Sequence, residues 1–209
     1  MFYRQAITKL NEWATRNDRK PLILRGAMQV DKTTVVELFS KNFEQYIYLN
    51  LEKINEQKLF EKYNSTAELI SSIFFYKNKT QKKGRTLLFI DEIQNSPKAV
   101  SQLRYFYEDP KDLYVIAAGS LLETLIDKTI SFPVGRVEYL LIRPCSFLEF
   151  LTATGEEQSV NLINTIPFPD YGHDKLLTFF RKYALIGGMP EVIKKYSETK
   201  DIRTLTSTG

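Results

Sequence analysis

Thr86-Leu-Leu-Phe-Ile-Asp91 is an almost unbroken apolar run that ends on a carboxylate. A strand with no polar side has to be covered on both faces, and sheets covered on both faces are parallel, with helices as the crossovers. The rest of the chain supplies the helices. Ala6, Leu10, Trp13 and Ala14 recur at helical spacing within a helix over about 3–16. Runs with strand character at 21–25, 45–50, 113–118 and 137–142 alternate with helical segments at about 32–39, 98–107 and 121–127. Ser65 with Glu68, and Ser146 with Glu149, have the spacing of capping boxes that open two more helices. The polar stretch 152–172 reads as a loop, helices follow over about 173–186 and 189–198, and the tail from Thr204 lacks apolar periodicity and should fray. The expectation is an α/β fold in three layers around a parallel sheet of about five strands with right-handed crossovers. Residues 1–150 would form the core, and 151–209 a loop and a small helical extension.

Composition narrows the context. A single cysteine, Cys145, excludes an internal disulfide and suits a reducing compartment, so a cytoplasmic protein is expected. No apolar run approaches the ~18 residues of a membrane span. The basic cluster Lys77, Lys79, Lys82, Lys83 and Arg85 has no interleaved aromatics, so it reads as a solvated loop and gives nucleic-acid binding no support. His173 is the only histidine, which argues against a Cys/His metal centre. Cys145 precedes a helix N-terminus, a setting that can lower a thiol pKa, but with no histidine nearby in sequence packing is the better reading.

Gly26-Ala-Met-Gln-Val-Asp-Lys-Thr-Thr34 lies between an expected strand and an expected helix. The pattern G-x-x-x-x-G-K-[ST] in that setting makes a loop whose backbone N–H groups surround a phosphate at a helix N-terminus. Gly26, Lys32 and Thr33 fit the pattern, and Asp31 stands where it has its last glycine. Ala27, Met28, Gln29, Val30 and Thr34 complete the candidate cradle. Lys32 would neutralise phosphates, and Thr33 and Asp91 would hold Mg²⁺. Glu92 would orient or deprotonate an attacking water, since phosphoryl transfer depends on positioning and charge neutralisation. Ser120, after another strand, is open to two readings: a sensor of the γ-phosphate, or the N-cap of the next helix. Arg136 is open too: a charge stabiliser within its own subunit, the same across a homo-oligomer interface, or a solvent-facing side chain.

An ordered set of motifs goes further. Arg25-Gly-Ala-x-Gln-Val-x-Lys-Thr-Thr34, Phe89-Ile-Asp-Glu-Ile-Gln94, Ala118-Gly-Ser120, Val134-Gly-Arg136, Pro144-x-Ser-Phe-x-Glu-Phe150 and Gly187-Gly-Met-Pro-Glu191 follow one another. This succession, over about residues 1–198, resembles the AAA-type P-loop (ASCE) ATPases that carry a C-terminal domain of unknown function. Those are related to the signal-transduction ATPases with numerous domains. The resemblance implies ATP with Mg²⁺ as cofactors and the nucleotide between Gly26–Thr34 and Asp91–Glu92. It also marks two departures: Met28 and Asp31 replace the family's usual Arg and Gly, and the family's C-terminal domain has no counterpart here.

Asp31 should matter through charge. Aspartate tolerates the left-handed backbone that the missing glycine would adopt. Two unit charges ~5 Å apart at an effective dielectric of ~20 repel by ~3 kcal/mol, while a helix dipole returns only ~0.3–1 kcal/mol. The carboxylate could also cap the N–H groups of Thr33 or Thr34 and so fill the anion site itself. Weak or absent ATP binding and negligible hydrolysis are expected. The alternative is an inactive interaction module with a P-loop fold and a protein partner the sequence does not name.

Overall fold

A computed structural model describes residues 2–81, 84–107, 112–119 and 135–205. The chain divides into two compact units. One comprises Lys9–Met28 and Lys32–Ile142; the other comprises Met1–Thr8, Gln29–Asp31 and Arg143–Gly209.

The first unit holds a five-stranded sheet, built from β1 (Leu22–Arg25), β2 (Gln45–Asn50), β3 (Thr86–Asp91), β4 (Leu113–Ala118) and β5 (Glu138–Leu141). The spatial order is β2-β3-β4-β1-β5 and every pair is parallel. All of β3 is buried, as its apolar run requires, whereas β2 and β5 lie at the edges and alternate. Side chains alternate across a strand, so each face has its own core. On one face Ile23, Leu88, Ile90, Val115 and Ala117 join Phe60, Leu69, Ile73 and Val100 from the helices Ile54–Lys62, Thr66–Tyr76 and Pro97–Gln102. On the other, Tyr114 meets the ring of Trp13 edge-on at 5.9 Å and that of Phe43 at 4.9 Å; Phe39, from the helix Lys32–Ser40, lies 6.4 Å from Trp13.

The strands and most helices lie where the sequence places them, and the departures have physical causes. The helix Ile54–Lys62 was not expected, because its inward face carries a carboxylate: Glu56 is buried, accepting from the Asn50 N–H at 2.6 Å and the Lys77 ammonium at 2.8 Å. Hydrophobic periodicity is blind to such a residue. The capping box expected at Ser65 and Glu68 does not form; Ser65 is the N-cap residue but makes no side-chain cap bond, and both residues are exposed to water. The helix expected through Tyr107 is α-helical only over Pro97–Gln102 and continues as a 3₁₀ turn over Leu103–Tyr107. The expected helix 121–127 lies outside the described residues.

The second unit corrects the reading of 152–172 as a loop. A helix ends at Ala153, another spans Glu157–Ile163 with Ser159 turned inward, and Asp170–Gly172 forms a 3₁₀ turn. Thr204 and Leu205 belong to a further 3₁₀ turn, and 206–209 lie outside the described residues. The box at Ser146 does form, with Glu149 N–H donating to Ser146 Oγ at 3.2 Å and Ser146 N–H to Glu149 Oε2 at 2.7 Å. Phe150 anchors the apolar core, stacked on Tyr196 at 5.8 Å and tilted against Tyr183 at 5.6 Å. Gly188 passes so close to Cys145 that a Cβ there would lie 2.7 Å from its carbonyl oxygen.

A buried ion pair ties this unit's first residues to its helices. Arg4 Nε lies 3.1 Å from Glu149 Oε1, Arg4 Nη2 donates to the Arg143 carbonyl at 2.7 Å, and both side chains are under a tenth exposed. Removing one partner of such a pair strands the other charge, at ~3–5 kcal/mol. Arg4→Met should therefore lower stability by about that amount in urea unfolding. Arg4→Met combined with Glu149→Met should regain only part of the loss, because the Ser146 and Gln5 N–H groups then lose their acceptor.

Candidate functional site

The carboxyl ends of parallel strands share one edge of a sheet, and ligands of open α/β sheets bind there. Chain segments emerge at this edge from β1, at Gly26, and from β3, at Asp91. Gly26 has φ 147°, a region that favours glycine. Lys32 begins the helix after the loop and is only 9% exposed; its ammonium donates to the Gly26 carbonyl at 2.9 Å and the Ala27 carbonyl at 2.8 Å. Burial lowers the Lys32 pKa, and the negative charges of Glu92 and Asp91 oppose that shift. Met28 is exposed, and Thr34 sits half-buried in the first turn of the helix.

Asp91 is buried, and its carboxylate collects donors. Thr33 Oγ1 donates to Oδ2 at 2.9 Å, the Tyr48 hydroxyl to the same oxygen at 3.1 Å, and the Glu92 N–H to Oδ1 at 3.1 Å. Glu92 turns sharply, with φ 52°, and its carboxylate accepts from the Gln94 amide. Gln94 Oε1 is buried with no hydrogen-bond partner among the described residues. Lys32, Thr33, Asp91 and Glu92 are thus gathered at one edge, as their spacing predicts.

The two remaining expected residues are Ser120 and Arg136. Ser120 lies outside the described residues. Arg136 precedes β5, whose register pairs Leu141, not its first residue, with Arg25. It therefore sits at the amino edge of the sheet, roughly 17 Å along the strand direction from the level of Arg25 at ~3.3 Å per residue. Its guanidinium lies 6.0 Å from the Tyr107 ring centroid.

In the second unit the middle of the loop has its own surroundings. Gln29 and Asp31 both have φ 62°, the left-handed backbone that aspartate tolerates. The left-handed backbone of Asp31 departs from the extended one that N-cap residues typically adopt. Burial raises the Asp31 pKa; Arg4 opposes this, Glu191 adds to it, and Lys194 opposes it. The Val30 carbonyl accepts from Arg4 Nη1 at 3.4 Å. Cys145 is buried and its thiol is pushed up to about 12, chiefly by burial, so it is a packing residue.

Sequence reasoning missed Tyr48. Burial, and then the Asp91 charge, push its pKa up, so it stays a neutral donor. The available signal was alternation: Tyr46, Tyr48 and Asn50 share one face of β2, against Ile47 and Leu49 on the other.

The sequence matches the AAA domain family over residues 18–151. The chain belongs to that family. A Walker-type ATPase of Pyrococcus abyssi has a similar fold at 16% identity and TM-score 0.58, over 99% of this chain and 70% of that one. PCH-2 of Caenorhabditis elegans is similar at 11% identity and TM-score 0.54, over 96% and 64%. Drosophila ORC, solved bound to DNA, is similar at 14% identity and TM-score 0.50, over 97% and 62%. No curated protein matches the sequence. Family and fold together make this an ATP-binding P-loop ATPase core, a class that uses nucleotide typically with Mg²⁺. Among the described residues, no helix is long and apolar enough to cross a membrane.

Asp31 gives this site a pH signature. A carboxyl whose folded pKa is raised above its ordinary 3.8 leaves stability intact below that pH and loses it as pH rises through the folded value. Asp31→Asn should thus raise the urea midpoint at pH 7. The gain should vanish as pH falls below 3.8. A midpoint unchanged or lowered at pH 7 would contradict the assignment.

Proposed function

We propose that this chain is an AAA-type core that binds Mg-ATP weakly and hydrolyses it negligibly, because Asp31 places a fixed anion in the phosphate loop. The observation that carries this reading is one set of side chains at the carboxyl edge: Lys32 on the loop carbonyls, Thr33 bonded to Asp91, and Glu92 held by Gln94. On binding, Lys32 would exchange the Gly26 and Ala27 carbonyls for phosphate oxygens. The donors fit a hard cation: Thr33 Oγ1 and Asp91 offer oxygens, and Mg²⁺ takes few protein ligands besides phosphate and water. Thr33 and Asp91 would hold it, and when bound it would neutralise phosphate charge. Glu92 would accept the proton of the attacking water, its carboxylate steadied by Gln94, whose unpartnered Oε1 is a further acceptor for that water.

Asp31 works against the first step. Its repulsion of a phosphate ~5 Å away, ~3 kcal/mol at an effective dielectric of ~20, weakens affinity by about a hundredfold. The position of Arg136 supports a role for it, if any, across an interface in a homo-oligomer. A second reading, a P-loop-fold interaction module that does not cycle nucleotide, is favoured by Lys32 itself, whose ammonium already has two carbonyl partners. Drosophila ORC was solved bound to DNA, but the basic cluster from Lys77 to Arg85 has no interleaved aromatics on which bases would stack.

Titration with a fluorescent ATP analogue in excess Mg²⁺ separates the readings. The nucleotide-site reading expects saturable binding weaker than micromolar for the natural sequence and its loss in Lys32→Ala. Micromolar affinity for the natural sequence would sink the claim about Asp31. Indistinguishable behaviour of Lys32→Ala would favour the interaction module.

A further inference from the structure

The aromatic side chain on β2 has a place in the site that neither the loop motif nor the acidic strand end assigns. Tyr48 pairs in register with Phe89, two residues before Asp91, and stacks on the Phe89 ring at a centroid distance of 5.6 Å. Its hydroxyl donates to Asp91 Oδ2, the oxygen that also accepts from Thr33 Oγ1. The other oxygen, Oδ1, accepts only from the Glu92 N–H among the described residues. The carboxylate is therefore held at Oδ2 by two hydroxyls and at Oδ1 by a single N–H. The hydroxyl of Thr33 is expected to leave Asp91 when it turns to the cation; the hydroxyl of Tyr48 is not. Behind Tyr48, the strand end is fixed by the Asn50 N–H donating to buried Glu56, which Lys77 neutralises.

We propose that Tyr48 is a positioning residue of the Mg²⁺–nucleotide site: its hydroxyl holds Asp91 Oδ2 so that Oδ1 faces the cation in a fixed orientation. The inference rests on the reading of Gly26–Thr34 and Asp91 as a nucleotide site. It adds a specific division of labour, with Lys32 serving the phosphates whether or not Mg²⁺ is present, and Tyr48 acting only through the cation.

The test measures equilibrium affinity for a fluorescent ATP analogue in excess Mg²⁺ and in excess EDTA. It uses the full chain carrying Asp31→Gly, so that binding is strong enough to read. Adding Tyr48→Phe keeps the ring on Phe89 and removes only the hydroxyl. The expected result is an unchanged affinity in EDTA and a loss of roughly tenfold in the gain that Mg²⁺ confers, the size of one hydrogen bond to a charged group. Asp91→Asn in the same background should lose the Mg²⁺ gain as well. An undiminished Mg²⁺ gain in Tyr48→Phe, or an equal loss in Mg²⁺ and EDTA, would make Tyr48 a packing residue and overturn the inference alone. Absence of binding by the Asp31→Gly parent in both conditions would overturn the nucleotide-site reading and this inference with it.

Discussion

Burial of β3 on both faces is the constraint from which the site follows. Its side chains are covered alternately by the two cores, so the strand runs through the middle of the sheet and delivers Asp91 into a nearly dry environment. A carboxylate taken out of water must be hydrogen-bonded or it becomes prohibitive. The donors that satisfy Asp91 come from three different segments: the helix after the loop, the edge strand β2, and the turn that begins at Glu92. The packing that makes the sheet thus forces the loop, the edge strand and the acidic strand end to converge.

Charge then decides what the converged residues can do. Lys32 is the buried cation of the sheet-bearing unit's loop, stabilised by two carbonyls and by the negative charges of Glu92 and Asp91. An arriving phosphate competes with those carbonyls for the same ammonium. Asp31 is one residue earlier in the chain. Its backbone is left-handed, with φ 62°, a region that glycine enters freely and aspartate tolerates.

The sequence was most legible where burial is apolar. β3, β4 and the helix Lys32–Ser40 announce themselves because their inward residues are Leu, Ile, Val and Phe. The helix Ile54–Lys62 stayed hidden because one of its two buried residues is Glu56, beside Phe60, and its charge is satisfied by Asn50 and by Lys77 far along the chain. The backbone of Asp31 was not legible because residue type does not report φ; N-cap residues typically have an extended backbone, and Asp31 is left-handed. The level of Arg136 along the sheet was not legible because sequence order does not say at which edge a residue enters; the register of β5 on β1 does. Tyr48 was overlooked because its contribution depends on the strand pairing that sets β2 beside β3.

The central claim is that the side chain at position 31, and not a loss of the P-loop architecture, limits nucleotide binding. Calorimetric titration of Mg-ATP into the natural chain and into Asp31→Gly tests it most directly. Removing a unit charge ~5 Å from a phosphate should strengthen binding by at least tenfold, with the upper bound near a hundredfold. Equal affinities for the two proteins would contradict the account.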